Sequence, residues 1–474
     1  MCMDIPALII AKNNLPASSA PLLLQNRIVH GGYKASLSIK LSTLIRLSNQ
    51  VKPKRSIYNL VAAQPAKELT MKKAILATVL VATTFGAAFT AFAADKVPLS
   101  KFYEGYTVEE IPADAFQQWP YYTYASAHIA DFLRYGVHKL PASDNAVKVE
   151  RIGGFEISPE LRKVLVDTQV KAFVVMKDGK VLAEHFDNGF KAGMLNNLQS
   201  ASKTFVGVLL SHAVDSGKLS LDEIAKTYLP ELEGSIIGEA TISELASMNS
   251  GIEPLSDYHT PGSNGYEWEK EIGLQNAGEP IGHLNAIKAA KATSFERGTN
   301  WDYTDQNSDT LALIIAKVEG KPFEQLISEL HNSYGGNNEI QIAKTSDGTT
   351  SPSYGINISA YDYALFTGYI AQGKAGSSFY KELKDSSNDV LNVTPVIKDV
   401  FAAASPTTYD MQSYTMLDQD IIYSHGSFGQ TGFADIKSGY SVIYLSDWYT
   451  NTDVPSLQKQ LINAVDVINE LRTK

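Results

Sequence analysis

We predict an α+β fold in two parts, in which an antiparallel sheet flanked by helices carries a mainly helical insertion. Residues 172–186 have the pattern of a strand, an Asp-Gly turn and a second strand, and residues 423–445 have that of glycine-punctuated strands. Between them, apolar residues recur at helical spacing. The sheet should come from about residues 150–190 and 415–474, and the helical part from about 195–385.

The first 93 residues carry the features of an export signal. Met71 opens a basic start that is followed by an apolar run and an Ala-x-Ala pattern, which predicts a signal peptide over residues 71–93. Such a signal belongs at a true N-terminus. We therefore expect the protein to start at Met71 and regard residues 1–70 as a doubtful upstream extension. An internal membrane anchor is the alternative, which the short run and the cleavage pattern disfavour. Cleavage would leave a periplasmic or secreted bacterial protein with no stable membrane anchor.

Charge and composition exclude several classes of function. Residues 94–474 hold 30 basic and 49 acidic residues, a net charge of −19 that argues against binding nucleic acid or anionic membranes. The only cysteine is Cys2, so residues 94–474 have neither a disulfide nor a thiol nucleophile. The histidines lack paired ligand spacing and no nucleotide-binding loop occurs. We therefore expect no metal and no cofactor.

The other elements follow from local patterns. Residues 94–150 should be an irregular, aromatic-rich lead-in that packs over the core. The long polar and aromatic stretch 252–280 is either a lid or binding loop or a surface excursion, and residues 385–420 should be irregular. Apolar spacing, caps and breakers predict helices over residues 157–167, from 200 to about 213, and over 241–248, 311–320, 358–371 and 454–471.

Ser200 and Lys203 form the first candidate for catalysis. They open an apolar helix, so the amine lies one turn from the hydroxyl on the same face. A helix N-terminus favours a developing anion, and a desolvated lysine can take the proton of a serine. The same spacing recurs at 378–381 and 456–459, where polar surroundings favour an accidental match. Ser200 and Lys203 are therefore the candidate nucleophile and base.

Two further motifs follow along the chain. Tyr303 and Asp305 stand between a loop and a strongly apolar helix, where a phenol can enter a cleft and move protons. His425, Gly426 and Ser427 stand on a predicted strand, whose extended backbone could supply an N–H group to an oxyanion.

A competing third motif is the literal Lys-Ser-Gly at residues 437–439. It falls in a predicted hairpin turn, which explains its residue types without any catalytic role. We favour residues 425–427 and keep 437–439 as the alternative.

The three motifs, in this order, resemble those of the serine hydrolases of the penicillin-binding-protein and class C β-lactamase superfamily. The order there is Ser-x-x-Lys, Tyr-x-Asn and Lys-Thr-Gly, and the likeness covers about residues 155–470. The chain looks most like the 6-aminohexanoate-dimer hydrolase and esterase branch, which has Asp-Tyr after the Ser-Gly turn, here ending in Tyr258, and His-Gly in place of Lys-Thr. The resemblance implies a β-lactamase/transpeptidase-like fold for a hydrolase domain over residues 151–474.

The resemblance also implies a role for each motif residue. Ser200 would be the acylated nucleophile, Lys203 its base, and Tyr303 the relay of a proton to the leaving group. The N–H groups of Ser200 and Phe428 would form the oxyanion hole, and Tyr258 would close over a bound substrate.

One departure concerns the substrate. Asp305 stands where β-lactamases have an asparagine that contacts the substrate amide. An ionised carboxylate cannot donate a hydrogen bond, which disfavours lactam binding. We therefore expect an exported hydrolase that acts on an ester or a small linear amide. A β-lactamase or D-alanyl carboxypeptidase is the enzymatic alternative, and an inactive relative that binds peptidoglycan fragments or a partner protein is the other.

Overall fold

The structure is a computed structural model that describes residues 106–187, 189–386, 400–401 and 403–474. All of these residues belong to one unit of the chain. The predicted upstream extension and signal peptide lie outside the described residues.

The strands and helices of the described chain have the following bounds. The strands are β1 (Val137–Leu140), β2 (Glu150–Arg151), β3 (Val170–Lys177), β4 (Lys180–Phe186), β5 (Leu195–Asn197), β6 (Ile340–Ala343), β7 (Ile356–Ser359), β8 (Thr407–Asp410), β9 (Ser413–Met416), β10 (Ile421–Gly426), β11 (Gln430–Asp435) and β12 (Ser441–Ser446). The helices are α1 (Tyr121–Ala125), α2 (Pro159–Asp167), α3 (Lys203–Asp215), α4 (Ala225–Tyr228), α5 (Ile242–Ala246), α6 (Asn264–Glu271), α7 (His283–Lys288), α8 (Asp305–Glu319), α9 (Phe323–Tyr334), α10 (Ala360–Ala371), α11 (Ser377–Asp385) and α12 (Val454–Leu471).

The main sheet joins the two ends of the described chain. Its eight strands lie in the order β2-β4-β3-β12-β11-β10-β9-β8, and every pairing except β2 with β4 is antiparallel. A second sheet has the order β1-β6-β7-β5. Most of the helices lie between β5 and β8 in sequence. The predicted α+β fold class is confirmed.

Two strands lie where the sequence predicted irregular chain. β8 and β9 form a hairpin whose turn has Met411 at φ 43° and Gln412 at φ 59°, so the turn carries none of the usual glycine or Asn-Gly markers. The turn presses against α3, because a Cβ added to Gly207 would lie 1.8 Å from the Met411 carbonyl oxygen. The expectation of irregular structure over 385–420 was therefore wrong for these eight residues.

The lead-in and the long loop also contain regular structure. β1 pairs with β6, and the N–H of Asn197 donates to the carbonyl of Ser126 at 2.8 Å, so the lead-in is tied to the strand that precedes Ser200. Helix α6 interrupts the stretch 252–280. None of the helices in the described ranges has both the length and the apolar character needed to cross a membrane.

An aromatic row covers one face of the main sheet and reaches the site. Tyr409, Tyr414, Tyr423 and Phe433 follow one another across neighbouring strands with ring centroids 4.7–5.4 Å apart. Burying each such side chain contributes roughly 1.5–3 kcal/mol. The Tyr303 ring lies 5.8 Å from that of Tyr409, so the row supports the segment that carries this tyrosine.

Candidate active site

Ser200 lies in a short 3₁₀ turn, Gln199–Ser202, between β5 and α3, which we call the Ser200 turn. Gln199 has φ 51°, a left-handed conformation that is uncommon for a residue with a side chain. Its N–H donates to Asn197 Oδ1 at 3.2 Å, and its side-chain amide donates to the Tyr122 hydroxyl at 3.2 Å. These hydrogen bonds fix the conformation of the turn. Ser200 is 7% exposed.

The Lys203 amine is the centre of the site. Nζ lies 3.2 Å from Ser200 Oγ, 2.7 Å from Asp305 Oδ1 and 2.7 Å from the carbonyl oxygen of Ser353. It also lies 4.9 Å from the centroid of the Tyr303 ring. An ammonium has three N–H donors, and these three acceptors match them. The amine, which is 1% exposed, is therefore held on the serine hydroxyl by two other acceptors.

Asp305 and Lys203 form an ion pair out of contact with water. Burial raises the pKa of the Asp305 carboxyl, but nearby positive charge, to which the Lys203 ammonium makes the largest contribution, leaves that pKa below its usual value. The two groups are 2.7 Å apart and each is 1% exposed.

The front of α8 is unusual in being polar and buried. The six residues from Asp305 to Thr310 are all polar, and none is more than 6% exposed. Their side chains bond to separate segments: Asp305 to Lys203, Asn307 to Ser250, Ser308 to Gln412, and Asp309 to Ser351 and Ser353. This half-helix fixes the position of the loops around Ser200.

Strand β10 touches the Ser200 turn at Gly426. A Cβ added there would lie 2.2 Å from the Leu198 carbonyl oxygen and 2.9 Å from the Ala201 nitrogen. The alternative motif, 437–439, lies in the turn after β11, at the opposite end of that strand from Gly426. The geometry therefore favours residues 425–427 as the third motif.

His425 and Ser427 flank this contact, and both are buried. Within the described chain, His425 Nδ1 has no hydrogen-bond partner, and the ring lies 5.9 Å from that of Trp448. Burial lowers the pKa of His425 to about 4, so the ring is neutral at physiological pH.

Phe428 departs from its expected role. Its N–H donates to the carbonyl oxygen of Asn451 at 2.9 Å, and its ring stacks on that of Tyr122 at 3.7 Å. An N–H that already has a carbonyl partner is not poised to receive an oxyanion. The oxyanion role expected for Phe428 is therefore not supported in this conformation.

Tyr258 also lies differently from expectation. It is 4% exposed, its hydroxyl is 3.5 Å from the carbonyl oxygen of Leu255, and its ring packs beside Gly265 of the same loop. A side chain that closes over a substrate must be able to move, and this ring is buried. The structure does not support the closing role expected for Tyr258.

Sequence reasoning missed Ser353, Asp309 and Tyr122. Ser353 contributes a backbone carbonyl, which leaves no mark on residue type. Asp309 could have been noticed in the sequence. It belongs to six consecutive polar residues on one helix, and six consecutive residues surround the helix axis, so some of them must be buried. In the described ranges, no group of three or more histidine, cysteine, aspartate or glutamate side chains is arranged to hold a metal ion.

The sequence profile of the Beta-lactamase family matches residues 165–466, more than half of the chain. A 6-aminohexanoate-dimer hydrolase from Paenarthrobacter ureafaciens is 24% identical over 362 residues, which cover 73% of this chain and 90% of the relative. A Beta-lactamase from Pseudomonas fluorescens is 27% identical over 164 residues, which cover 33% of this chain and 40% of the relative.

Solved structures agree on the fold. A Bacillus anthracis protein assigned as a 6-aminohexanoate-dimer hydrolase superposes with a TM-score of 0.66 at 20% identity, covering 77% of this chain and 98% of that one. The predicted resemblance is thus confirmed at the level of fold and family. The chain belongs to the Beta-lactamase family, whose members are serine hydrolases that include amidases, esterases and β-lactamases.

Proposed function

We propose that this protein is an exported serine hydrolase that forms an acyl-enzyme on Ser200 and hydrolyses an ester or a small linear amide. The observation that carries the proposal is the 3.2 Å contact between Lys203 Nζ and Ser200 Oγ at a buried helix start. A serine needs an adjacent base to become nucleophilic, and this amine is positioned to be that base.

The proton path follows from the contacts of Lys203. The amine must be neutral before it can accept a proton, and its contact with Asp305 Oδ1, at 2.7 Å, fixes its position beside Ser200. Ser200 Oγ then attacks the carbonyl carbon while its proton passes to Lys203. The tetrahedral oxyanion collapses, the bond to the leaving group breaks, and the leaving group receives a proton through Tyr303. Water then attacks the acyl-enzyme by the same steps, and the acid is released from Ser200.

The choice of substrate class rests on Asp305 and on the relatives. Asp305 accepts from Lys203 and, when ionised, has no donor for a substrate amide. The relative that matches most of this chain is named for the hydrolysis of a linear amide, the 6-aminohexanoate dimer. Both points support a linear amide or an ester over a lactam.

Export is proposed from residues 71–93, which have the basic start, apolar run and Ala-x-Ala pattern of a signal peptide. The mature protein would be periplasmic or secreted. Intact-mass measurement of the exported protein tests this: we expect a chain that begins near residue 94. A cell-associated chain that retains residues 71–93 would contradict it.

The reaction is tested with purified protein and four reagents: a fluorophosphonate probe, p-nitrophenyl butyrate, nitrocefin and a 6-aminohexanoate dimer. We expect fluorophosphonate labelling that Ser200→Ala abolishes, and turnover of the ester or the dimer without turnover of nitrocefin. Efficient turnover of nitrocefin would replace our substrate class with that of a β-lactamase. Equal labelling of wild type and Ser200→Ala would contradict the proposed nucleophile and favour a binding protein.

A further inference from the structure

A second carboxylate on α8 lies one turn beyond the one that contacts Lys203. Asp309 follows Asp305 by four residues, so the two side chains lie on the same face of the helix. Asp309 is fully buried. Two carboxylates one turn apart on a buried helix face each require partners, because an unpaired buried charge is strongly unfavourable.

The partners of Asp309 are all donors. Its Oδ1 accepts the backbone N–H of Ser353 at 3.0 Å, and its Oδ2 accepts the Ser351 hydroxyl at 2.7 Å. His283 Nε2 lies 3.0 Å from Oδ2, and Thr349 Oγ1 lies 3.4 Å from the other nitrogen of that ring. The carboxylate therefore ties α7 and the loop 349–353 to α8.

Ser353 connects this network to the base. Its N–H is held by Asp309, and its carbonyl oxygen accepts from Lys203 Nζ at 2.7 Å. Asp305 thus holds the amine directly, and Asp309 holds it through one residue of backbone. Helix α8 fixes both of the acceptors that hold Lys203 on Ser200.

We propose that Asp309 is a positioning residue for the Lys203 base, acting through the Ser353 carbonyl. This inference rests on the proposed function, in which Lys203 accepts the proton of Ser200. Without Asp309, the Ser353 N–H loses its acceptor, the loop shifts, and the third N–H of the amine loses its fixed partner. A displacement of about 1 Å at a reacting group lowers a rate by about 100-fold.

The test compares the rate of fluorophosphonate labelling of the full-length protein with that of Asp309→Ala and Asp309→Asn. We expect Asp309→Ala to label about 100-fold more slowly. Asparagine retains an oxygen for the Ser353 N–H and can direct its NH₂ group at the Ser351 hydroxyl. Asp309→Asn should therefore label within about tenfold of wild type.

Asp362 offers a matched control on another helix. It too is a fully buried carboxylate that accepts two backbone N–H groups, from Asn337 at 2.6 Å and Asn338 at 3.0 Å. Asp362→Ala should lower thermal stability to a similar degree as Asp309→Ala, yet leave the labelling rate within a few-fold of wild type. Equal labelling rates in these two variants would overturn the inference.

A double-mutant cycle separates positioning of the base from general damage. In a Lys203→Ala background there is no amine to position, so adding Asp309→Ala should slow labelling no further. An equal loss in both backgrounds would overturn the proposal. If Asp309→Ala does not fold, Asp309→Leu takes its place, because leucine has the same branching of side-chain heavy atoms and no acceptor. A 100-fold loss of labelling rate in Asp309→Asn would also contradict the proposal.

The outcomes also distinguish this inference from the proposed function. If wild type is not labelled at Ser200, or if Lys203→Ala labels at the wild-type rate, the proposed function fails. If both behave as expected and Asp309→Ala labels as fast as wild type, only the inference about Asp309 fails.

Discussion

The contact between Gly426 and the Ser200 turn makes a quantitative prediction. A Cβ at this position would lie 2.2 Å from the Leu198 carbonyl oxygen, whereas ordinary contacts of this kind begin near 3.4 Å. In Gly426→Ala, β10 and the Ser200 turn must therefore separate by about 1 Å, a shift that lowers the rate of a positioned reaction by about 100-fold. The clash should also destabilise the fold by about 1–3 kcal/mol.

Gly432→Ala is the matched control, because its Cβ would lie 2.7 Å from the Tyr363 hydroxyl and 2.8 Å from Thr367 Oγ1, on the strand next to β10. The assay is the second-order rate of fluorophosphonate labelling, with urea unfolding for stability. We expect both variants to lose stability and only Gly426→Ala to lose labelling rate. A wild-type labelling rate in Gly426→Ala would refute the view that β10 abuts the nucleophile.

Three further outcomes are expected. Lys203→Ala and Tyr303→Phe should each slow acylation by about 10²- to 10⁴-fold, measured as burst rates with p-nitrophenyl butyrate, and near-native rates in both would overturn their roles. Burial raises the pKa of Asp410 from 3.8 to about 7, so the stability of the wild type should fall as the pH rises from about 4 to 7. In urea unfolding, Asp410→Asn should lack this pH dependence, and its free energy of unfolding at pH 8 should exceed that of wild type by at most about 4 kcal/mol. Parallel pH profiles of the two proteins would contradict this expectation. Lys171→Ala should lower the free energy of unfolding by about 3–5 kcal/mol, because it removes the ammonium that lies 2.7 Å from the buried Asp447 carboxylate. A loss below 1 kcal/mol would show that the pair contributes little to stability.

The sequence predicted the parts of the fold that local patterns determine. The hairpin β3–β4 and helices α2 and α12 lie close to their predicted limits, because turn residues, caps and apolar spacing act over a few residues. Strands β8 and β9 were missed because each has four residues and their turn lacks glycine. Their conformation is fixed instead by contact with α3, which is distant in sequence.

In the site, too, the contacts between residues close in sequence could be predicted and those between distant residues could not. Ser200 and Lys203 could be paired from sequence because they lie one helical turn apart. The contact between Lys203 and Asp305 joins residues 102 positions apart. The motif order of the family indicated that both belong to the site, with Asp305 facing the substrate, and did not indicate this ion pair. The Ser353 carbonyl and the partner of the Phe428 N–H are backbone features, which residue identity does not encode.

The central claim is that the Ser200 hydroxyl becomes covalently modified by an acylating or phosphonylating substrate. Peptide mass spectrometry of the wild-type protein after fluorophosphonate treatment tests this directly. We expect the adduct on the peptide that contains Ser200, and a greatly reduced yield in Lys203→Ala. An adduct on a different residue, or none in a folded wild-type protein, would contradict the account.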